Sequence, residues 1–270
     1  MDMRVYNPAM VASYSRRTAA EKSAYMLPLL KPDMRILDVG CGPGTITLDL
    51  AAHVPDGSVT GVDASSQAIE TARELCKQRG AANASFSVGD IKKLPFDDDL
   101  FDVVHAHQVL SHLPGTEDEP GPVWGLREMR RVCKPGGFVC AREADWSTIA
   151  LYPRVQGVKE SLDLLAKLSA NAGKTIAGGR GREFARRAGF SAEQISASAA
   201  VTVHTNVEGR EWAGENMAKR LESSSDLDNA VELGLVTKEE AARMPEAWRE
   251  WAKSDDAFYS MIDGQIVCKK

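Results

Sequence analysis

The residues of this chain that could do chemistry sit in a few short stretches, each at the end of an apolar run. "ILDVGCGPGT" (36–45) carries Asp38 and the alternating glycines Gly40, Gly42 and Gly44 around Cys41. "SVTGVD" (58–63) ends on Asp63, with Ala64 next, and "SVGDI" (87–91) brings Gly89, Asp90 and Ile91. "HAHQVLSH" (105–112) holds His105, His107 and His112, and "AREAD" (141–145) holds Arg142, Glu143 and Asp145. A glycine-rich turn between a buried strand and a helix presents backbone N–H groups and a helix N-terminus to a ligand. An acidic residue ending the next strand, as Asp63 does, accepts hydrogen bonds from ribose hydroxyls.

The spacing selects among nucleosides. The dinucleotide fingerprint G-x-G-x-x-G places its third glycine one residue later than Gly44, where the helix must approach a pyrophosphate. Pro43 and Thr45 also fit that pattern poorly, and Asp38 is unwelcome beside a pyrophosphate. Asp38 suits an ammonium group or the water bound to it. A ligand with a ribose, a positive amino group and no phosphate therefore fits better than NAD, and S-adenosylmethionine is such a ligand.

Alternating strands and helices must position these stretches. Strand-like runs at 34–39, 58–63, 84–90, 101–107 and 138–145 alternate with helical ones at 45–54, 65–80 and 125–137. That alternation implies right-handed βαβ units and a parallel sheet. Ser65 is the expected N-cap of the second helix, and Gly80 and Gly136 stand where helices end. Beyond residue 145 the spacing predicts helices over 155–173 and 181–190, a half-exposed strand over 194–204, and about fifty helical residues over 208–256. Within the last, Thr237 and Glu240 form a capping box, and Pro245 is expected to kink or restart the helix. "FYSMIDGQIVCKK" (258–270) should hold a final strand, with Asp263-Gly264 as a turn signal.

"ILDVGCGPGT", "GVDAS", "SVGDIKKLPFDDDLFDVV", "HLP" and "LREMRRVCKPGG" together resemble a class I S-adenosylmethionine-dependent methyltransferase, closest to the broad group that includes the ubiquinone/menaquinone-biosynthesis enzymes. The resemblance covers about residues 30–145 strongly, and 1–30 and 175–205 more loosely. It implies an α/β Rossmann-like fold: a seven-stranded, mostly parallel sheet with helices on both faces, an antiparallel last strand and helical lid inserts. It implies one domain over 1–270, with a cofactor-binding core at 30–150, a sheet completed by 175–206 and 257–270, and a lid made of 151–174 and 207–256. By the same resemblance, Gly40, Cys41 and Gly42 line the methionine part of the cofactor, with Asp38 near its amino group. Asp63 holds the ribose diol, Ala64 flanks the adenine, and Gly89, Asp90 and Ile91 clasp it. His107 turns its backbone carbonyl towards the cofactor amino group, and Tyr14, on a segment that closes over the site in relatives, reaches the methionine carboxylate.

Methyl transfer from a sulfonium is a direct displacement, so holding nucleophile and methyl in line supplies most of the catalysis. A base is needed only where the acceptor's proton is hard to lose. His107 and His112 are the candidates, and alternation puts His105 and His107 on one side of their strand. Asp145 reads either as an acceptor contact or as a salt link to the lid. Cys41 reads as a space-filling residue, and Trp248/Trp251 as helix-packing core before an aromatic box. The H-x-H pair lacks a third ligand of suitable spacing, so no metal is expected.

Bulk properties narrow the partners. With a net charge of −5 and a pI near 5.6, the chain shows no electrostatic footprint for nucleic acid. The arginine pairs at 16–17, 130–131 and 186–187 read as solvated helix faces. Five scattered cysteines without a C-x-x-C pair fit free thiols in a reducing compartment. No basic-then-apolar leader and no membrane-length apolar run stands out, so the expectation is a soluble cytoplasmic protein. The N-P-P-Y signature of amino methyltransferases acting on nucleic acid or protein is absent after the fourth strand. An apolar helical lid favours a small, partly hydrophobic acceptor; a homodimer through the same helices is the competing use. Two other functions remain in view: a cofactor-binding protein that transfers no methyl group, and a nicotinamide dehydrogenase, which the glycine spacing opposes.

Overall fold

The computed structural model describes residues 14–174, 177–223 and 225–270. Its centre is β1 (Arg35–Val39), whose last four residues are buried. β1 pairs in parallel with β2 (Ser58–Asp63) on one side and β4 (Phe101–His107) on the other. Near-continuous apolar strands of this kind need cover on both faces. α2 (Thr45–His53), behind the short α1 (Ala19–Lys22), packs one face through Ile46, Leu50 and Val54. α4 (Gly121–Val132) covers the other through Leu126, Met129 and Val132.

β3 (Ala84–Val88), β5 (Cys133–Tyr152), β6 (Ile195–His204) and β7 (Phe258–Lys269) complete a seven-stranded sheet in the order β3-β2-β1-β4-β5-β7-β6. β7 runs antiparallel to both neighbours, as expected for the last strand of this fold. The order reverses beside β1, so the crevice at the carboxyl ends of β1 and β4 is a topological switch point, where open α/β sheets bind ligands. α3 (Ser66–Arg79) starts where expected: Ser65 Oγ accepts from Ala68 N at 3.2 Å, and Gly80 closes the helix at φ +64°.

Three local expectations give way to tertiary contacts. β7 runs straight through Asp263-Gly264, because the Asp263 side chain is drawn to Arg142 and Gly264 abuts another chain segment. A Cβ on Gly264 would lie 1.9 Å from the Gly178 carbonyl oxygen, so the glycine serves a close approach instead of a turn. Gly136 (φ +81°) falls after β5 has begun, since α4 stops at Val132. Pro245 lies inside an unbroken α9 (Lys238–Lys253), buried beside Met244 and Trp248.

α5 (Gln156–Asn171), α7 (Val207–Ser223), α8 (Asp226–Glu232) and α9 form a second apolar cluster around Trp248 and Trp251, separate from α6 (Gly181–Arg187). The two tryptophans meet edge to face at 5.8 Å. Trp248 Nε1 donates to Ser161 Oγ at 2.9 Å and Trp251 Nε1 to the Tyr152 carbonyl at 3.0 Å. Both are packing core.

Candidate functional site

The turn after β1 is folded back onto β2. The N–H groups of Gly40 and Cys41 both donate to the Val62 carbonyl, at 2.7 and 3.0 Å. Gly40, Gly42 and Gly44 take φ of +68°, +54° and +83°, values that a side chain would strain. A Cβ on Gly40 would also sit 2.3 Å from a Val109 methyl. Cys41 is nearly buried beside Phe86 and Leu48, and burial pushes its thiol well above the usual range, so it fills space.

Asp63 is tied directly to this turn. Its Oδ2 accepts from Gly42 N at 3.0 Å and its Oδ1 from Ser65 N at 2.9 Å. The carboxylate is half-buried, and desolvation raises its pKa against the pull of those two donors. Each oxygen keeps a further lone pair. The Asp63 carbonyl accepts from Gly89 N at 3.0 Å, which places the end of β3 beside it. Ala64 and Asp90 are exposed on that rim and Ile91 is buried below it. Tyr14 lies against the start of α2, where Thr45 Oγ1 donates to its carbonyl at 3.4 Å. The glycine turn, Asp63-Ala64, Gly89 to Ile91 and Tyr14 are therefore brought together around one crevice, and three left-handed glycines with a carboxylate bonded to the middle one fit a nucleoside bearing a ribose.

Asp38 is a different matter. Its Oδ1 lies 2.8 Å from His105 Nδ1, and Thr47 Oγ1 donates to its Oδ2 at 2.6 Å. His105 Nε2 in turn lies 3.1 Å from Ser23 Oγ. The whole chain is buried. Asp38 thus holds the turn from beneath and ties it to the α1 region through His105 and Ser23. The register pairs Asp38 with His105 across β1 and β4, so the two share one face.

His107 does not share the role of His105. Its Nδ1 faces the Arg142 carbonyl at 3.4 Å and therefore carries the proton, which leaves Nε2 an enclosed acceptor with no partner among the described residues. Burial, then the cations of Arg17 and Arg142, hold this imidazole well below its usual pKa. Gln108 follows at φ +54°, and its side-chain carbonyl accepts from Arg17 at 2.5 Å. Arg17 also lies 4.4 Å from the Tyr14 ring centre. The sequence reading placed Arg17 on a solvated face; that holds for Arg16, which pairs with Glu208 on the surface.

His112 is carried on a 3-10 turn (Leu110–His112) that Glu143 caps from below. Glu143 accepts from Val109 N and Leu110 N at 2.8 Å and from Ser111 Oγ at 2.7 Å. His112 itself is open to water, yet its pKa is lowered to about 4 by surrounding protein and by Lys174, Arg220 and Arg17. Because the ring is exposed, screening by water trims the size of the effect without changing its direction. Arg220, on α7, stacks 4.7 Å from the Trp146 ring centre. Neither Arg220, on α7, nor Lys174, just past α5, carried a signal in the sequence, since both lie far from any motif.

Asp145 lies away from this crevice. Its Oδ1 accepts from Ser147 N at 3.0 Å and from the Ser147 hydroxyl, and its Oδ2 accepts from Gly179 N at 2.9 Å. It fixes the backbone before α6 through Gly179, and among the described residues it forms no salt link to the lid.

Comparison with known proteins follows the same outline. A family described as "Methyltransferase domain" matches residues 30–189. An uncharacterized methyltransferase of Schizosaccharomyces pombe is 38% identical over 96% of this chain and 92% of its own length. A demethylmenaquinone methyltransferase of Bacillus cytotoxicus is 34% identical over 52% of this chain and 56% of its own. Among solved structures, phosphoethanolamine N-methyltransferase 2 of Haemonchus contortus with S-adenosyl-L-methionine superposes with a TM-score of 0.58 at 18% identity, over 99% of this chain and 58% of that one. The fold and the glycine-turn site define a class I S-adenosylmethionine-dependent methyltransferase. The chain belongs to the methyltransferase-domain family, and about half of it is similar to demethylmenaquinone methyltransferases. Among the described residues no helix is long and apolar enough to cross a membrane.

Proposed function

We propose that the enzyme methylates a small, partly hydrophobic metabolite by direct displacement, in a crevice between the glycine turn and a lid formed by α5 and α7 to α9. The observation that carries the cofactor half of this reading is the Asp63 carboxylate bonded to Gly42 N and Ser65 N beside three left-handed glycines. S-adenosylmethionine, when bound, supplies a methyl group on a sulfonium. In this reading Asp63 accepts the ribose hydroxyls, and the Gly40, Cys41 and Gly42 backbone lies along the methionine part. Ala64, Gly89, Asp90 and Ile91 enclose the adenine. Tyr14 and Arg17 face the amino-acid end, and the His107 carbonyl lies near its amino group.

The acceptor half rests on side chains. His107 is held neutral by burial and its Nδ1 faces the Arg142 carbonyl, so a base role requires that acceptor binding uncover its enclosed Nε2. His112 is likewise neutral near pH 7 and lines the crevice. Trp146, Trp212, Met217 and Tyr259, half-buried where the helical cluster meets the sheet, give the apolar wall that favours a partly hydrophobic acceptor. The lid assignment is preferred to dimerisation because Arg220, stacked on Trp146, is among the charges that act on His112. The enzyme is read as acting in the cytoplasm without nucleic-acid partners, which an acidic chain supports.

The test is thermal stabilisation by S-adenosylhomocysteine. The wild-type chain should gain several degrees at saturating ligand, and Asp63→Ala should lose about a hundredfold in affinity, as removing a charged acceptor from two hydroxyl donors implies. An unchanged affinity in Asp63→Ala would remove the ribose role. Metabolite extracts incubated with the enzyme and cofactor should then yield a product heavier by one methylene on mass spectrometry.

A further inference from the structure

The crevice beside His112 concentrates positive charge in a protein whose net charge is −5. Arg220 touches the Trp146 face at 4.7 Å and hydrogen-bonds no described residue. Among the described residues Lys174, just past α5, makes only a backbone bond, from its N–H to the Ser169 carbonyl. It is held close to the His112 turn because Gly115 N donates to the Gly173 carbonyl at 3.0 Å. The carboxylates of the neighbourhood are already engaged. Glu143 caps the His112 turn, Asp263 holds Arg142 at 2.6 Å, and Asp145 holds Ser147 and Gly179. Asp226, Tyr14 and Tyr259 are the acidic groups near enough to favour the Arg220 charge, yet burial still leaves its guanidinium below the ordinary value. A guanidinium does not deprotonate in response. The cost of its desolvation is offset only in part by Asp226, and an anionic ligand group would complete the compensation.

Flat apolar surface lies alongside. Trp146 provides the stacking face, and Tyr259 packs 5.6 Å from His204, which packs 5.2 Å from Trp212. A stacked arginine has its rotation restricted and presents its remaining N–H edge for paired bonds to carboxylate or phosphate oxygens. Arg17 is the third cation of the group, but its bond to Gln108 beside the glycine turn assigns it to the amino-acid end of the cofactor. Arg220 and Lys174 remain for the acceptor.

We propose that the methyl acceptor is an anion: a small molecule with a flat apolar body and a carboxylate or phosphate, its charge received by Arg220 and Lys174 and its body lying against Trp146 and Tyr259. This rests on the methyl-acceptor reading of the crevice given above. It narrows the substrate class from partly hydrophobic metabolites in general to those carrying a negative group at one end.

The test uses the full chain saturated with S-adenosylhomocysteine, so that the cofactor's own carboxylate is already accommodated. Naphthoate, naphthyl phosphate and naphthamide are titrated calorimetrically. One of the two anions should bind at least about tenfold more tightly than the amide, and which one does so identifies the group. Arg220→Gln should erase that preference, Arg220→Lys should keep part of it, and Lys174→Gln, on the helix end, should lower it severalfold. All three should hold S-adenosylhomocysteine as the wild type does. If Arg220→Gln fails to fold, Lys174→Gln carries the same comparison. Equal binding of amide and anions, no binding by either anion, or a preference that survives Arg220→Gln and Lys174→Gln would overturn the proposal. Failure of the wild-type chain to hold S-adenosylhomocysteine would instead strike at the methyltransferase reading itself, so the two failures are told apart.

Discussion

The two walls of the crevice are built on different principles. The cofactor wall, from β1 to β3, is made of backbone: left-handed glycines, N–H groups and a carboxylate locked to both, contributed by residues 40–63. The opposite wall, as proposed, is made of side chains from His112, Trp146, Lys174 and Arg220, which lie on separated elements. Backbone geometry tolerates few residue types, so the first wall has a spelling. Side-chain walls tolerate many, so the second can change acceptor without disturbing the fold.

The seam between the walls gives the largest expected effect. Arg142 and Asp263 are almost fully buried, at 3% and 1% exposure, and join β5 to β7 through bonds of 3.0 and 2.6 Å. Arg142 also donates to the Glu21 carbonyl at 2.6 Å, which holds α1. Asp263→Ala leaves a buried guanidinium without its counter-charge and should cost about 3–5 kcal/mol. Urea unfolding should show one cooperative transition shifted for sheet and helical cluster alike. A loss under about 1 kcal/mol would mean that water enters the seam and the walls are less firmly joined.

Gly40→Ala tests the backbone wall by itself. The left-handed strain costs about 1–3 kcal/mol, and the new Cβ would meet Val109 at 2.3 Å. Cofactor affinity should fall by more than tenfold while the tryptophan fluorescence of the helical cluster stays unchanged. Full affinity in this variant would show that the turn can relax, contrary to a rigid cradle.

A smaller effect separates the walls by pH. Both His107 and His112 have folded-state pKa values below that of a free imidazole, about 4 for His112. The unfolded chain therefore binds protons first as pH falls below about 6.5. The stability these residues contribute is complete at neutral pH and is lost as pH falls from there through the folded values. Asp63 and Glu143, with raised values, act in the opposite sense, because protonation relieves their buried charge. His112→Asn should accordingly flatten the acid limb of the stability profile between pH 6.5 and 4, and do so without altering S-adenosylhomocysteine affinity at pH 7. An acid limb identical to the wild type would place His112 in open solvent.

The contrast also explains what could be read in advance. The βαβ order, the Ser65 cap and the glycine turn depend on local conformation or on neighbouring strands, and they were legible, whereas the bond from Gly42 N to Asp63 came from the structure. Asp38 and Asp145 were visible as carboxylates near the site. Whether a carboxylate at a strand end meets a ligand or a backbone N–H depends on partners such as Thr47 and Gly179, which no spacing reveals. Pro245 and Asp263-Gly264 have strong local preferences that packing overrode: one is embedded beside Trp248, the other pressed against Gly178. Arg17 and Arg220 were illegible for a third reason. A long cationic side chain carries no mark of which surface it will reach.

The smallest effect concerns the helical wall alone. Thr237 Oγ1 accepts from Glu240 N at 3.1 Å, and Glu240 Oε2 accepts from Thr237 N at 2.7 Å, closing the capping box of α9. Thr237→Ala removes one of these bonds and should cost about 1 kcal/mol. The residue is exposed and far in sequence from the glycine turn, so cofactor affinity should be untouched while the melting midpoint drops by a few degrees. If the helices close over the crevice as a lid, acceptor binding should weaken in this variant in proportion to the lost helix stability, because closure draws on the same packing of Trp248 and Trp251. If they are instead only a dimer surface, the association constant would move and acceptor binding would not. Measured together on one conservative variant, acceptor affinity and sedimentation behaviour therefore decide which use of the side-chain wall is real.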